Sequence, residues 1–285
     1  MTAAAERIRL LGGERVSRVR ELTTGSHYVA QVNERFLYKR SASRVALERE
    51  AAGLYLFGRL TNAVPHLVTQ GEDFLIAECL PGAVTATEAL SDGRLAVGQV
   101  EAFVATCLAK VYWKYRRRID NLRLFKFLGW RSRLETLRRG LVVHRLRLAR
   151  SVDGRTLSRL ATALAALEVP EGSLTLTHRD IHSDNVLVSF ASGYPRMMLI
   201  DLEHCTEGPI ELEFQNARFW NDEKSVRVEP IVRLLRDEFR VPYDFALERK
   251  LLAFYVADQL LLALGQKDGE KLGILGRRVS RTDFF

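Results

Sequence analysis

The side chains best suited to chemistry lie in one short stretch: His178-Arg179-Asp180, then four residues, then Asn185, with Asp201 sixteen residues beyond. Asn185 opens the apolar run Val186-Leu187-Val188. Turn residues follow at Ser192-Gly193-Tyr194-Pro195, and a second apolar run, Met197 to Ile200, ends at Asp201. Two such runs around a turn predict an antiparallel hairpin. In a hairpin the start of the first strand lies beside the end of the second, so Asn185 and Asp201 meet at one end, with Asp180 on the loop leading in. A carboxylate beside an amide oxygen suits magnesium, a hard cation that takes oxygen ligands and keeps much of its water. A second carboxylate nearby can accept the proton of an attacking hydroxyl. That combination fits phosphoryl transfer, where a protein mainly positions groups and neutralises charge.

Two other readings use the same residues. The stretch is also compatible with a polar turn between two core strands. His178, Asp180, His182 and Asp184 alternate, and His204 follows Asp201; two histidines and a carboxylate would suit zinc. An extended loop would carry that alternation on one face, but the zinc reading leaves Asn185 and the N-terminal third without a role.

The elements that must position these groups begin near the N-terminus. Glu21 to Arg40 reads as strands around turns at Thr24-Gly25-Ser26 and Asn33-Glu34. The small-residue loop Thr23 to Ser26, with Gly25 and Ser26, could lie over phosphates with its backbone N–H groups. Tyr38-Lys39-Arg40 ends a strand on a lysine, and Val45 to Leu60 reads as an amphipathic helix carrying Glu48 and Glu50. A further strand, Phe74 to Glu78, breaks at Leu80-Pro81-Gly82. Towards the C-terminus, Leu157 to Leu167 has helical spacing and Leu251 to Leu264 reads as a buried helix.

At 285 residues the chain can bury a large core, and its 47% hydrophobic and 27% charged residues are those of a soluble globular protein. Met1 to Gly13 carries Glu6, Arg7 and Arg9 and does not read as a secretory signal. Leu251 to Leu264 is too short to span a bilayer and is interrupted by Asp258. Cys79, Cys107 and Cys205 are odd in number and widely spaced, which argues against a disulfide framework and for a cytoplasmic location.

Taken together, residues 22 to 215 resemble the protein-kinase-like superfamily, in the branch of aminoglycoside phosphotransferases, choline kinases and lipopolysaccharide kinases. The resemblance rests on His178-Arg179-Asp180 with Asn185, on the strand ending at Leu80-Pro81-Gly82, on Leu199-Ile200-Asp201-Leu202-Glu203, and on Gly208-Pro209 followed by Glu213-Phe214. It implies an α+β, two-lobe protein-kinase-like fold, with a small β-rich N-lobe over 1–80 and a mostly helical C-lobe over 81–285. It implies ATP and Mg2+ as cofactors, Asp180 as the catalytic base, and Asn185 and Asp201 as metal ligands. Lys39 would brace the α- and β-phosphates, paired with Glu50, the later glutamate of Leu47-Glu48-Arg49-Glu50-Ala51. Gly25 and Ser26 would cover the phosphates, and the backbone from Glu78 to Leu80 would meet the adenine edge. Arg179 departs from the Gly usual in antibiotic kinases, and His182 to Asp184 lack the common Pro; these departures bear on the acceptor. No Ala-Pro-Glu element follows Asp201, which argues against a protein-kinase activation segment.

The net charge of +8 is unevenly placed. Lys110 to Arg150 holds fourteen Lys/Arg against Asp120 and Glu135, a balance of +12, leaving −4 for the rest. Tyr112, Trp113, Tyr115, Phe125, Phe127 and Trp130 are interleaved. Such a field repels a cationic acceptor and attracts an anionic one. Basic residues among aromatics also suit a membrane surface, and a core sugar of lipopolysaccharide at the cytoplasmic face satisfies both. The expected acceptor is therefore an anionic small molecule or glycolipid, with peripheral contact at the inner membrane through 110–150. An antibiotic or other small molecule is the alternative acceptor, and a non-catalytic nucleotide-, RNA- or membrane-binding module is the alternative of another class; no recognised RNA-binding motif accompanies the basic stretch.

Overall fold

The computed structural model describes residues 16, 18–21, 28–117, 129–220 and 226–281. They form two compact units. The first gathers Met1–Tyr115, Asp180–Cys205 and Asp222–Val241; the second gathers Arg116–Arg179, Thr206–Asn221 and Pro242–Phe285.

The first unit is built on a five-stranded antiparallel sheet of β1 (Val19–Glu21), β2 (Tyr28–Val32), β3 (Phe36–Arg40), β4 (Leu67–Gln70) and β5 (Phe74–Glu78), in the order β1-β2-β3-β5-β4. The β2–β3 hairpin turns at Asn33 and Glu34, both at positive φ, 51° and 56°, the primed geometry that matches strand twist. Alternation along β3 sorts its side chains. Tyr38 packs with Val32 and Ile76 on one face, while Leu37 and Lys39 point to the other, Lys39 opposite Val29 and Leu75. Between β3 and β4 runs α1 (Arg44–Leu60), started by the Ser43 hydroxyl, which accepts from the Ala46 N–H at 3.2 Å.

The expected hairpin is present in the same unit. β8 (Val186–Ser189) pairs antiparallel with β9 (Arg196–Leu199), Val186 opposite Leu199, and β6 (Val84–Thr85) lies on the other edge of β8. α2 (Ala86–Ser91) follows β6 through a Thr85–Glu88 capping box. α3 (Val97–Tyr115) packs on α8 (Val228–Asp237); the buried Glu101 accepts two bonds from Arg227, at 2.6 and 3.0 Å.

The second unit is mainly helical: α4 (Trp130–Val143), α5 (Arg145–Leu148), α6 (Gly154–Ala165), α7 (Gln215–Trp220), α9 (Phe245–Gly265) and α10 (Gly269–Arg281), with one antiparallel pair, β7 (Leu174–Thr177) and β10 (Thr206–Pro209). Its core centres on α9, where Leu251, Phe254 and Leu260 meet Trp130, Leu137 and Leu160. α9 starts earlier than the apolar run beginning at Leu251 indicates, because Asp244 caps it by accepting from the Ala246 and Leu247 N–H groups. No helix among the described residues is long and apolar enough to cross a membrane.

The basic stretch differs from expectation. Tyr112, Tyr115 and Trp130 are buried, and the half-exposed Trp113 donates its indole N–H to the Phe239 carbonyl. Helical spacing carries Tyr112 and Tyr115 inward with Leu108 and Val111, and Trp130 stacks on Phe254, so these three rings do not interleave with arginine at the surface. Phe125 and Phe127 lie outside the described residues.

Candidate active site

β7 delivers the chain to His178, and the loop that follows is held at several points. The buried Glu213 carboxylate accepts the backbone N–H groups of His178 and Arg179 at 2.7 and 2.8 Å. Arg179 adopts φ 72°, a left-handed conformation that costs a non-glycine residue about 1–2 kcal/mol. Its buried guanidinium bonds Asp258 of α9 at 2.6 Å and lies over the Phe254 ring, while Arg133 of α4 pairs with the other Asp258 oxygen. A single 3₁₀ turn at Ser183–Asn185 then leads into β8. Asn185 donates its amide nitrogen to the Asp180 carbonyl at 2.9 Å and to Asp180 Oδ2 at 3.3 Å. That use of the nitrogen orients the amide and leaves its oxygen as the donor end for a cation.

The hairpin joins Asn185 to the second carboxylate: the Ile200 N–H donates to the Asn185 carbonyl at 3.0 Å. Asp201 follows at φ 63°, and a 3₁₀ turn, Leu202–His204, brings Glu203 back beside it. This turn packs against α1 at Gly53, where an added Cβ would fall 2.7 Å from Leu202 Cβ and 3.2 Å from the Leu202 carbonyl oxygen. Helix and turn thus meet too closely for a side chain at position 53.

That approach brings Glu50, one turn earlier on α1, to the Asp201–Glu203 turn and to Lys39 of β3. The Lys39 ammonium pairs with Glu50 at 2.7 Å, Asp201 at 2.7 Å and Glu203 at 3.1 Å. Lys39 and Glu50 are buried, whereas a third of the Asp201 side chain is exposed. Burial alone would lower the lysine pKa; the three carboxylates outweigh it and hold Lys39 charged well above its usual range. Burial pushes Glu50 up to about 7, against the pull of Lys39. One ammonium therefore faces three carboxylates whose oxygens lie within 4.8 Å of one another. This hard-oxygen, negatively charged donor set suits a hard divalent cation. Glu203 carried no role in the sequence reading; its signal was its place two residues after Asp201.

The zinc reading is not realised. The loop is not extended, since the left-handed Arg179 and the turn at Ser183–Asn185 break the alternation. The His178 side chain is fully buried. Among the described residues, Glu50, Asp201 and Glu203 are the one group of three His, Cys, Asp or Glu side chains close enough to share an ion. His182 Nε2 lies 3.7 Å from Asp180 Oδ2. Burial would lower the His182 pKa, but Asp180, with Asp184 and Asp201, raises it above the usual value.

Glu78 ends β5, and Leu80 lies two residues beyond it. The Glu78 and Cys79 N–H groups are bonded to the His66 and Arg35 carbonyls, at 2.8 and 2.6 Å, and the Leu80 carbonyl accepts from Ala83. Around them lies an apolar cluster that sequence reasoning did not single out: Leu37, Cys79, Leu80, Ala83 and Leu187, with Val29, Met198 and Ile200 packed against it. A cavity of about 170 Å³ opens alongside, lined by Arg18, Arg20, Gln31, Glu34, Gly82 and Ala83. Gly25 and Ser26 lie outside the described residues.

Comparison with known proteins agrees with this geometry. Residues 7–250 match the model of the APH family, described as a phosphotransferase enzyme family. No curated protein sequence matches the chain significantly. The structure of the gentamicin-APH(2")-IIa complex is 18% identical, with a TM-score of 0.69, covering 100% of this chain and 98% of that one. Aminoglycoside phosphotransferase APH(4)-Ia, in a ternary complex with AMP-PNP and hygromycin B, is 16% identical, with a TM-score of 0.67 and coverages of 99% and 97%. Macrolide 2'-phosphotransferase type I is 16% identical, with a TM-score of 0.62 and coverages of 98% and 97%. These likenesses establish the α+β protein-kinase-like fold. With its family model spanning most of its length, the chain belongs to the phosphotransferase enzyme family.

Proposed function

We propose that this phosphotransferase moves the γ-phosphoryl group of ATP to a hydroxyl of a small molecule. The observation that carries the reading is the convergence of Asp201, Glu50 and Glu203 on Lys39 at one end of the hairpin whose other strand starts just after Asn185, which bonds Asp180. In this reading Asn185 and Asp201 would hold magnesium, which, when bound, neutralises phosphate charge. Lys39, fixed by Glu50, braces the α- and β-phosphates. The apolar cluster that includes Val29, Leu37, Leu187 and Ile200 would receive the adenine, with backbone between Glu78 and Leu80 at its edge. The acceptor oxygen bonds to the γ-phosphorus as the bond to the ADP oxygen breaks, and the acceptor proton passes to the Asp180 carboxylate. An alcohol need not ionise first, because alignment and charge neutralisation supply the rate. The division near Leu80, with a nucleotide-covering 1–80 and an acceptor-binding 81–285, belongs to the same reading.

A small-molecule acceptor is supported by the neighbours, which are aminoglycoside and macrolide phosphotransferases. This favours the alternative acceptor class over the lipopolysaccharide sugar expected first. A narrower reading, an anionic or lipid-linked sugar, is favoured by one observation: the +12 balance over Lys110 to Arg150 opposes a polycationic acceptor. Transfer of labelled γ-phosphate by the full chain, screened over aminoglycosides, macrolides, choline, neutral sugars and lipopolysaccharide cores, tests both. Labelling of a small molecule supports the proposal, and labelling of the anionic cores alone selects the narrower reading. No transfer to any member of the panel counts against the proposal.

A further inference from the structure

The basic stretch ends at a surface corner of the second unit that supplies no site residue to the phosphotransfer reading. α4 anchors itself through Leu134, Leu137 and Leu141, and α5 through Leu148, all buried. Between Leu141 and Leu148, Val142 and Val143 are each 73% exposed and Leu146 is 87% exposed. Helix amphipathicity does not explain them, because the inward face of this corner is already filled by Leu141 and Leu148. Elsewhere among the described residues, exposed large apolar side chains are scattered; here three fall within five positions.

Arginine surrounds them. Arg139, Arg145, Arg147 and Arg150 are exposed, and from Thr136 to Leu167 seven arginines face a single acid, Asp153. That carboxylate is engaged in capping α6, accepting from the Thr156 N–H and hydroxyl, and in a bond from Ser280. Arg139 pairs with Glu135 one turn away, and Arg145 donates to the Ser158 hydroxyl. Arg138 is turned inward onto the carbonyls of Leu164, Ala165 and Leu167. The outer face of the corner is thus aliphatic at its apex and cationic around it.

We propose that this corner docks on an anionic lipid surface, with Val142, Val143 and Leu146 entering the headgroup boundary and the exposed arginines meeting lipid phosphates. Charge complementarity selects a polyanion. Nucleic acid is disfavoured because the apex side chains Val142, Val143 and Leu146 are aliphatic, with the half-buried His144 as the one ring among them, where base binding relies on several stacked aromatics. A protein partner is disfavoured because three side chains fall far short of the roughly 800 Å² per partner of a stable interface. A lipid surface needs no shape match, and each arginine near an anionic leaflet raises partitioning roughly fivefold. The contact is reversible and weakened by salt.

The test is flotation of the full chain with vesicles of neutral phosphatidylcholine, and with the same vesicles containing phosphatidylglycerol. The expected result is flotation with the anionic vesicles only. The double substitution Val143→Glu and Leu146→Glu should reduce it at least tenfold while leaving the thermal unfolding midpoint and the rate of phosphate transfer to a soluble acceptor unchanged. Equal flotation with both vesicle types, no flotation with either, or flotation indifferent to the two substitutions would overturn the proposal. So would tight binding of a single-stranded RNA oligonucleotide, sensitive to the same substitutions, with no binding to vesicles. Because flotation needs no catalysis, loss of docking and loss of phosphotransfer are separately readable.

Discussion

His182 sits close enough to Asp180 to share its charge, and the two make a residue-scale prediction. The imidazole pKa is raised above the ordinary histidine value of about 6.5 by its carboxylate neighbours. A raised histidine contributes its full stability below the unfolded value, and that contribution is lost as pH rises through the folded value. The thermal midpoint should therefore decline over that window, and His182→Gln should flatten the decline. An unchanged slope in the variant would show that the pair carries no linkage. At this scale the sequence was informative where the chemistry is local. Asp180, Asn185 and Asp201 were legible because motif spacing and a hairpin fix them, and the backbone bond between Ile200 and Asn185 is that hairpin's direct consequence. The contact of Glu203 with Lys39 was not legible, because it depends on the left-handed backbone of Asp201 and the short turn after it.

Two contacts between elements decide how firmly these residues are held. The first is Gly53 of α1 against the Asp201–Glu203 turn. The atoms an added Cβ would meet are Leu202 Cβ and backbone oxygen, which have no rotamer with which to swing away. Gly53→Val should cost about 1–3 kcal/mol as overpacking and raise KM for ATP by moving Asp201 relative to Lys39; an unchanged KM would contradict the coupling. The second is the tie from Arg179 to Asp258. We expect Asp258→Asn to lower kcat at least tenfold with little change in KM for ATP, because the strained backbone ahead of Asp180 loses its anchor. Arg179→Gly in the same background should recover most of that loss, since glycine holds φ 72° without help. Additive losses in the double variant would show that the anchor acts only on stability. The amphipathic α1 was readable from its spacing. The partnership of Asp258 with Arg179, 79 residues apart, was not, because periodicity says which face is buried and not what an acid on that face meets.

At the scale of the molecule, each unit draws on separated stretches of chain, and the first collects every described residue of the proposed nucleotide and metal site. This interleaving leaves no mark in composition, so a sequence reads as consecutive pieces where the fold gathers distant ones. The aromatics of the basic stretch show the same limit: their charges were countable, but the helix phase that turns Tyr112, Tyr115 and Trp130 inward is a tertiary outcome. Binding of magnesium-ATP would by itself stabilise the chain, by about 2.7 kcal/mol at a hundredfold excess over Kd, so ligand stabilisation does not separate an enzyme from a binding module. The deciding measurement is transfer of labelled γ-phosphate to an accepted hydroxyl by the full chain and by its Asp180→Asn variant, with nucleotide affinity measured in parallel. The account predicts that the variant keeps its affinity for ATP and loses about 100-fold or more of its transfer rate, the scale of a general-base contribution. Transfer at the wild-type rate by Asp180→Asn would contradict it.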